Sequence, residues 1–271
     1  MDSKKYQIVK MIACATMLID HIAVFFGEQC NIHNYAIFVM RMIGRIAFPL
    51  FAFLLVESFY YTKNKLRHAV SVLLIAIISE LPYNIVMSHG SFQHEYQNIC
   101  FSLFIGFLML WVVNIPLLPR WEEKKEKDPS LPDELDVFVM VVRKVVPVYF
   151  LFIASLLAVV FKIEYSFNGI LLIYMLNWAH KAKPIKCKKK VLDEEVSRNL
   201  YYTLTIATFI ALMFSDEYMM CCISLLIIFW ATSKRMMFKG ATENKKIKYL
   251  LRYFYPLHFV VMIIVRLIMS W

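Results

Sequence analysis

The sequence predicts an all-α fold, a bundle of about nine membrane-spanning helices (eight to ten) with one or two interfacial helices. Of the 271 residues, 60% are apolar, and the mean hydropathy is +0.59, whereas soluble proteins are roughly 45–50% apolar. The apolar residues also recur in stretches near the length of about 20 residues that a helix needs to cross a bilayer. These observations exclude a soluble globular protein and predict a single integral membrane domain over residues 1–271.

The predicted spans follow one another along the whole chain. They cover residues 7–26, 46–60, 68–88, 98–117, 145–161, 165–179, 199–214, 217–232 and 250–269. An amphipathic or re-entrant helix is predicted at 34–45, and an interfacial helix at 133–144. Cytoplasmic loops are predicted at about 119–144 and 181–198, because both stretches are highly charged.

The charge of the loops predicts the orientation. Alternate loops are rich in lysine and arginine (residues 63–67, 120–127, 181–190 and 234–246), and the others are acidic apart from Lys162 (Glu28, Glu95, Glu164, Asp216 and Glu217). Because cytoplasmic loops carry an excess of basic residues, the first set should be cytoplasmic. The N-terminus is then cytoplasmic, and the net charge of +10 indicates membrane topology and not a nucleic-acid partner.

The first span carries the clearest candidate for chemistry. Lys10 and His21 are eleven residues apart, close to whole helical turns, so they share one face about 16 Å apart. Ionisable groups inside a membrane span cost about 2.5–3.5 kcal/mol each, which makes them functional candidates. Asp20 and His21 form either a proton-transfer site, since histidine titrates near neutral pH, or a cap at the outer end of the helix.

Two arginines stand before the second span. Arg41 and Arg45 are four residues apart and therefore share a helix face, on the side where the positive-inside rule does not expect them. We expect them to pair with Asp20, Glu57 or Glu80, or to bind an anionic group. For Glu57, near the inner end of its span, the alternative is that it reaches water.

Three further polar residues lie in predicted spans. Glu80 stands in the apolar run before Pro82, and Asn98 opens the next span, where interhelical hydrogen bonding is one interpretation. His258 follows Pro256 in the last span; anchoring at the membrane interface is the alternative to a functional role there.

Several motifs together resemble the TraX family of pilin N-acetylases. They are the Lys10-x10-His21 spacing with the Asp20–His21 pair, RMIGRIAFPLFAFLLVESF, ISELPYN, QNICFSLFIG and the terminal FYPLH, with a weaker EYSFNG at 164–169. The resemblance is densest over residues 8–106, and residues 107–250 match mainly in hydropathy. The family looks related to larger membrane acyltransferases, which carry arginine where this chain has Lys10.

The resemblance implies an integral membrane acetyltransferase that uses cytoplasmic acetyl-CoA. His21 is then the expected base, with Asp20 or Glu80 setting its protonation. The residues expected to contact the coenzyme or stabilise the acyl oxygen are Lys10, Arg41, Arg45, Asn98 and His258. The expected acceptor is a peptide N-terminus, another amine or a glycan. Membrane lipids are the expected surroundings, and a homodimer is left open.

Two other functions fit the same residues. Asp20, His21, Glu57 and Glu80 suit the proton relay of a transporter, and a noncatalytic assembly factor for surface fibres needs none of them. The six cysteines form no metal-binding pattern, so neither a metal nor a disulfide framework is expected.

Overall fold

The computed structural model describes most of the chain. It covers residues 3–27, 29–88, 95–115, 125, 133–184, 186–187, 190–191, 193–213, 216–233 and 245–269. Of the cytoplasmic loop predicted at about 119–144, residues 119–124 and 126–132 lie outside the described residues.

The described residues form an all-α bundle, as the sequence predicts. The helices are α1 (Ser3–Phe26), α2 (Asn34–Gly44), α3 (Ala47–Tyr61), α4 (Lys65–Met87), α5 (Ile99–Val113), α6 (Asp133–Val160), α7 (Ser166–Lys181), α8 (Glu194–Met213), α9 (Cys222–Thr232) and α10 (Lys245–Ile268). A 3₁₀ helix, Asp216–Cys221, leads into α9, and a minimal antiparallel hairpin pairs β1 (Lys186–Cys187) with β2 (Lys190–Val191). This hairpin and the first turns of α8 fall where the sequence predicts a loop at 181–198.

Helix α3 forms the centre of the bundle. It is apolar on nearly all sides and buried along most of its length, as expected of a helix without a polar face. Helices α1, α5, α7 and α9 pack around it, while α10 packs against α1 and α4. Pro49 is the third residue of α3, where a missing backbone N–H costs no helical hydrogen bond.

The predicted boundary between residues 144 and 145 is wrong. The interfacial helix at 133–144 and the span at 145–161 are one continuous helix, α6, with Pro147 inside it. A membrane helix tolerates such a proline where the freed backbone groups are satisfied locally. Residues 133–144 are therefore helical, as predicted, and continue without a break into the following span; their placement on the cytoplasmic side stays a prediction.

Four of the described helical segments are long and apolar enough to cross a membrane. They are Lys4–Phe26, Asn34–Tyr61 (α2 and α3 together), Lys65–Met87 and Leu135–Val160, and shorter apolar helices lie at Ile99–Val113, Tyr218–Thr232 and Tyr253–Ile268. The chain is thus a helical membrane protein with several apolar helices, and the number of nine spans stays a prediction.

A buried lysine ties the start of the chain to α9. Lys5 is only 1% exposed, and its Nζ donates hydrogen bonds to the carbonyls of Trp230 at 3.0 Å and Ser233 at 2.7 Å. Because the carbonyls at a helix C-terminus carry partial negative charge, a cation is favoured there. Lys5 therefore holds α1 against the end of α9.

Candidate functional site

A pair of histidines joins α1 to α10. His21 Nδ1 lies 2.8 Å from His258 Nε2, a hydrogen bond between residues 237 positions apart in the sequence. Both side chains are buried, at 6% and 5% exposure. Helix α10 begins at Lys245 rather than at residue 250, so His258 lies well inside it. The structure therefore places His258 in the bundle interior, and the interfacial anchoring considered for it is wrong.

The hydrogen bonds of the pair determine which nitrogen of each ring carries a proton. His258 Nδ1 lies 3.0 Å from the Phe254 carbonyl, which can only accept, so Nδ1 is the donor. With both rings neutral, His258 Nε2 must then accept from His21 Nδ1–H. The remaining nitrogen, His21 Nε2, is left with its lone pair.

Aromatic rings hold the two imidazoles in place. The Phe259 ring lies 4.7 Å from His21 and 3.9 Å from His258, measured between centroids, and the Phe254 ring stacks on His258 at 5.2 Å. Tyr255 meets His258 edge-on at 5.7 Å. This packing limits rotation of either imidazole, so the direction of the His21 Nε2 lone pair is defined by the fold.

Asp20 faces α2 and pairs with Arg41. The distance from Arg41 Nη1 to Asp20 Oδ1 is 3.5 Å, and this pair is one of those expected from the sequence. The close approach depends on Gly44, where an added Cβ would lie 2.2 Å from the Asp20 Cβ. The absence of a side chain at position 44 therefore brings the arginine-bearing helix onto α1 beside His21.

Arg45 lies at the junction of α2 and α3. Its guanidinium carbon is 5.0 Å from the centroid of the Tyr218 ring, a cation–π distance. Its carbonyl accepts a hydrogen bond from Cys221 Sγ at 3.2 Å. The second arginine thus connects the α1–α2 face to the 3₁₀ helix before α9.

Glu80 and Asn98 form a separate network between α4 and α5. Asn98 donates from Nδ2 to Glu80 Oε2 at 2.6 Å and to the Ala76 carbonyl at 2.8 Å, and its Oδ1 accepts from the Cys100 backbone N–H. The Asn98 backbone N–H also donates to Glu80 Oε2 at 3.1 Å. These bonds cap the start of α5, and none of them reaches His21; the catalytic roles predicted for Glu80 and Asn98 stay predictions.

Glu164 is a functional candidate that the sequence reasoning did not select. It lies in the short loop between α6 and α7, where Tyr83 donates a hydrogen bond to Oε2 at 3.4 Å. Burial raises the pKa of Glu164 to about 7; the Asp20 carboxylate raises it further, and Arg45 and Arg41 oppose the rise. A loop carboxylate that titrates near neutral pH thus lies within electrostatic range of the Asp20–Arg41 pair.

The backbone around Glu164 is fixed in an unusual conformation. Lys162, Tyr165 and Ser166 have φ angles of 47°, 62° and 43°, in the left-handed region that is uncommon for residues other than glycine. Gln97 exchanges backbone hydrogen bonds with Lys162 and Glu164, and Ser102 Oγ donates to the Glu164 carbonyl at 2.6 Å. Such strain is often found at functional sites. The only sequence signal was the weak EYSFNG motif.

Lys10 and Glu57 lie toward the other end of the bundle from the histidine pair. Lys10 is partly exposed on α1, and the unbroken helix keeps it on the His21 face about 16 Å away. Glu57 is 3% exposed, and its Oε1 lies 3.0 Å from His180 Nδ1. Glu57 is therefore paired with α7 through His180.

Comparisons with known proteins agree with these observations. The profile of the TraX protein family matches residues 5–266. A curated relative, the "Probable fimbrial assembly protein FimC, serogroup H1" of Dichelobacter nodosus, is 25% identical over 120 residues, which are 40% of this chain and 48% of that protein. The chain thus matches about half the length of that relative, and no solved structure matches. Because the family profile covers nearly the whole sequence, the chain belongs to the TraX family.

Proposed function

We propose that this protein is a membrane acetyltransferase that moves an acetyl group from acetyl-CoA to an amine, most simply the N-terminus of a pilin-like peptide. The observation that carries the proposal is the His21–His258 pair, which leaves a lone pair on a buried imidazole. Family membership and the name of the fimbrial relative support a role connected with surface fibres.

The proposed chemistry requires one proton to move twice. The nitrogen of the acceptor amine attacks the thioester carbonyl, and His21 Nε2 accepts a proton from that amine. The C–N bond forms, and the carbonyl oxygen becomes an oxyanion in a tetrahedral intermediate. When that intermediate collapses, the C–S bond breaks, and the leaving thiolate takes the proton from His21. Positioned acid–base groups of this kind contribute about 10²–10⁴-fold in rate.

His258 would be a positioning residue in this scheme. It accepts from His21 Nδ1–H and so keeps the lone pair on Nε2. When His21 gains a proton, the same hydrogen bond becomes charge-assisted and strengthens. His258 thereby stabilises the imidazolium without touching the substrate.

Arg41 and Glu164 are the proposed charged groups around the acyl oxygen and the acceptor. A guanidinium has five N–H donors, so the single 3.5 Å ion pair with Asp20 leaves donors for an oxyanion. Glu164, with its pKa of about 7, is suited to bind an ammonium group or to take its proton. Lys10 and the basic loops are proposed to hold the coenzyme.

Proton-coupled transport is the second candidate, because a further pair, the buried Glu57 and the partly exposed His180, lies at the other end of the bundle. Tyr60 stacks on His180 with ring centroids 4.3 Å apart, and its hydroxyl donates to Asn177 Oδ1 at 2.6 Å. Titratable pairs at both ends of a helical bundle also suit a proton pathway.

Two measurements on one set of variants separate the candidates. The first is the thermal shift of detergent-purified protein with acetyl-CoA, CoA and longer acyl-CoAs, since a ligand that binds only the folded state raises its stability. The second is transfer of labelled acetyl from acetyl-CoA to total protein of cells that express each variant, which detects the reaction whichever protein is the acceptor.

We expect His21→Ala to keep the thermal shift and to lose about 10²-fold or more of the labelling. His258→Ala should also lose activity, and His258→Gln should recover part of it, because an amide oxygen can accept from His21 Nδ1–H. His68→Ala, outside the pair, is the matched control. Full labelling by folded His21→Ala would disprove the catalytic assignment, and the absence of any shift with a coenzyme would favour the transporter.

A further inference from the structure

Tyr255 of α10 carries a buried hydroxyl without a protein partner. The side chain is 8% exposed, and its hydroxyl oxygen has no hydrogen-bond partner in the part of the chain that the structure describes. The buried hydroxyls of Ser79 and Thr205 donate to a carbonyl of their own helix, a bond that the longer tyrosine side chain cannot make. A buried tyrosine usually has a partner for its O–H, because leaving the group unpaired disfavours folding. The Tyr255 hydroxyl is therefore available to a ligand.

The position of Tyr255 connects the histidine pair with Glu164. Tyr255 precedes His258 by three residues on α10, so the two side chains lie on one face of the helix. The Tyr255 ring meets the His258 ring edge-on, with the centroids 5.7 Å apart. Its hydroxyl lies within electrostatic range of Glu164 and of Tyr83, which donates a hydrogen bond to Glu164. The ring thus contacts the histidine pair, and the hydroxyl lies on the side of Glu164.

Acyl transfer needs hydrogen-bond donors where negative charge develops. When the amine attacks, the thioester carbonyl oxygen becomes an oxyanion beside His21, and donors that are already in place stabilise it without reorganisation. Arg41 lies on the α2 side of α1, and Tyr255 lies on the α10 side. A neutral phenol can donate from a buried position without the cost of burying a second charge.

We propose that Tyr255 is a further catalytic residue, whose hydroxyl donates a hydrogen bond to the thioester carbonyl oxygen and to the oxyanion that forms from it. The assignment rests on the proposed acetyl transfer. The phenol proton stays on Tyr255 while the C–N bond forms and the C–S bond breaks, so the proton transfers through His21 are unchanged. Tyr255 supplies a neutral donor from α10, and Arg41 supplies a charged donor from α2.

The test is Tyr255→Phe, which removes the hydroxyl oxygen and keeps the ring against His258. Tyr202→Phe is the matched control, because Tyr202 is also buried, at 1% exposure, but belongs to α8. Each variant is purified in detergent for thermal melts. Permeabilised membranes of cells that express it are incubated with labelled acetyl-CoA over a range of concentrations. His21→Ala is run in parallel and reports whether acetyl transfer itself takes place.

We expect Tyr255→Phe to melt at the wild-type temperature or above it, since it removes a buried hydroxyl that has no partner. The maximal labelling rate should nevertheless fall about 10²-fold, the usual loss when one oxyanion donor is removed. The acetyl-CoA concentration that gives half the maximal rate should stay unchanged, because a donor to the oxyanion acts mainly in the transition state. Tyr202→Phe should label as the wild type does.

The contrary outcomes separate this assignment from the acetyl transfer on which it rests. Full labelling by Tyr255→Phe, with His21→Ala inactive, would overturn the role of Tyr255 alone. A melting temperature well below that of the wild type would also contradict it, because the fold would then use the hydroxyl. If the pH dependence of melting changed as in Glu164→Gln, the hydroxyl would serve Glu164 and not the acyl oxygen. Wild-type labelling no higher than that of His21→Ala would overturn both proposals.

Discussion

At the residue scale, the central feature is that neighbouring residues of α1 face different partners. Asp20 faces Arg41 of α2, and His21 faces His258 of α10. The sequence predicts His21 as the reactive group and Asp20 as a partner of an arginine. It could not predict the pairing with His258, because hydropathy and helical spacing carry no information on contacts over 237 residues.

Glu164 gives a prediction for the pH dependence of stability. Its pKa in the folded protein is raised to about 7 from the ordinary value of 4.5, so between these values the folded state holds a proton that the unfolded chain has released. This contribution to stability is complete below about pH 4.5 and is lost as the pH rises toward 7. Thermal melts in detergent from about pH 5 to about pH 8 should therefore show a smaller decline for Glu164→Gln than for the wild type.

The charged groups within range of Glu164 are Asp20, Arg41 and Arg45, with the Tyr83 hydroxyl as its hydrogen-bond donor. Glu95→Gln is the control, since Glu95 is an exposed residue and its replacement should leave the pH dependence as in the wild type. An unchanged decline in Glu164→Gln would contradict the raised pKa.

At the scale of elements, the positions of the helices can be predicted from the sequence, whereas the connections between them cannot. Apolar stretches and charged loops place most helices within a few residues. The main exception is α6: the prediction divides it after residue 144, whereas the two parts form one helix that packs against α5 and α7. The loop of residues 162–166 depends on hydrogen bonds to α5 and the segment before it, which no local pattern encodes.

Gly44 gives a prediction about the joint between α1 and α2. In Gly44→Ala, the new Cβ would meet the Asp20 Cβ at 2.2 Å, and neither helix backbone can move without displacing the other. We expect a loss of stability of about 1–3 kcal/mol, measured as a lower melting temperature, together with a disturbed Asp20–Arg41 pair.

Gly106→Ala is the matched control for that prediction. There the new Cβ would meet the Ile173 Cδ1 at 2.4 Å, the far end of a flexible side chain that can change rotamer. The Gly106 variant should therefore lose less stability than the Gly44 variant, and the reverse order would show that the α1–α2 approach is not rigid.

At the scale of the whole molecule, the polar interior is divided between two ends. The histidine pair, Asp20, Arg41 and Glu164 lie toward the predicted outer side, and Glu57 with His180 lies toward the predicted cytoplasmic side. The orientation of the bundle in the membrane is predicted from loop charge alone. The packing of the helices does not distinguish the two orientations.

Labelling of native cysteines tests the orientation. Cys30 is exposed after the end of α1, on the predicted outer side, and Cys187 belongs to the loop predicted to be cytoplasmic. In variants that keep only one of the two and carry Cys222→Ser, since Cys222 is also exposed, a membrane-impermeant thiol reagent should modify Cys30 in right-side-out vesicles and Cys187 in inside-out vesicles. The opposite pattern would invert the predicted topology and the side from which acetyl-CoA enters.

Three faces of α1 make different contacts, and this limits how the sequence of the helix can change in evolution. One face carries His21, the next carries Asp20 against Gly44, and a third, through Leu18, Ile22 and Phe26, lines an apolar groove shared with α10. A substitution almost anywhere in the second half of this helix disturbs one of the three faces. Helix α6 packs against α5 and α7, but only 11% of its apolar stretch is buried, so its sequence is less constrained. Lineages that diverge from this chain should therefore keep α1 nearly unchanged while α6 drifts among apolar residues.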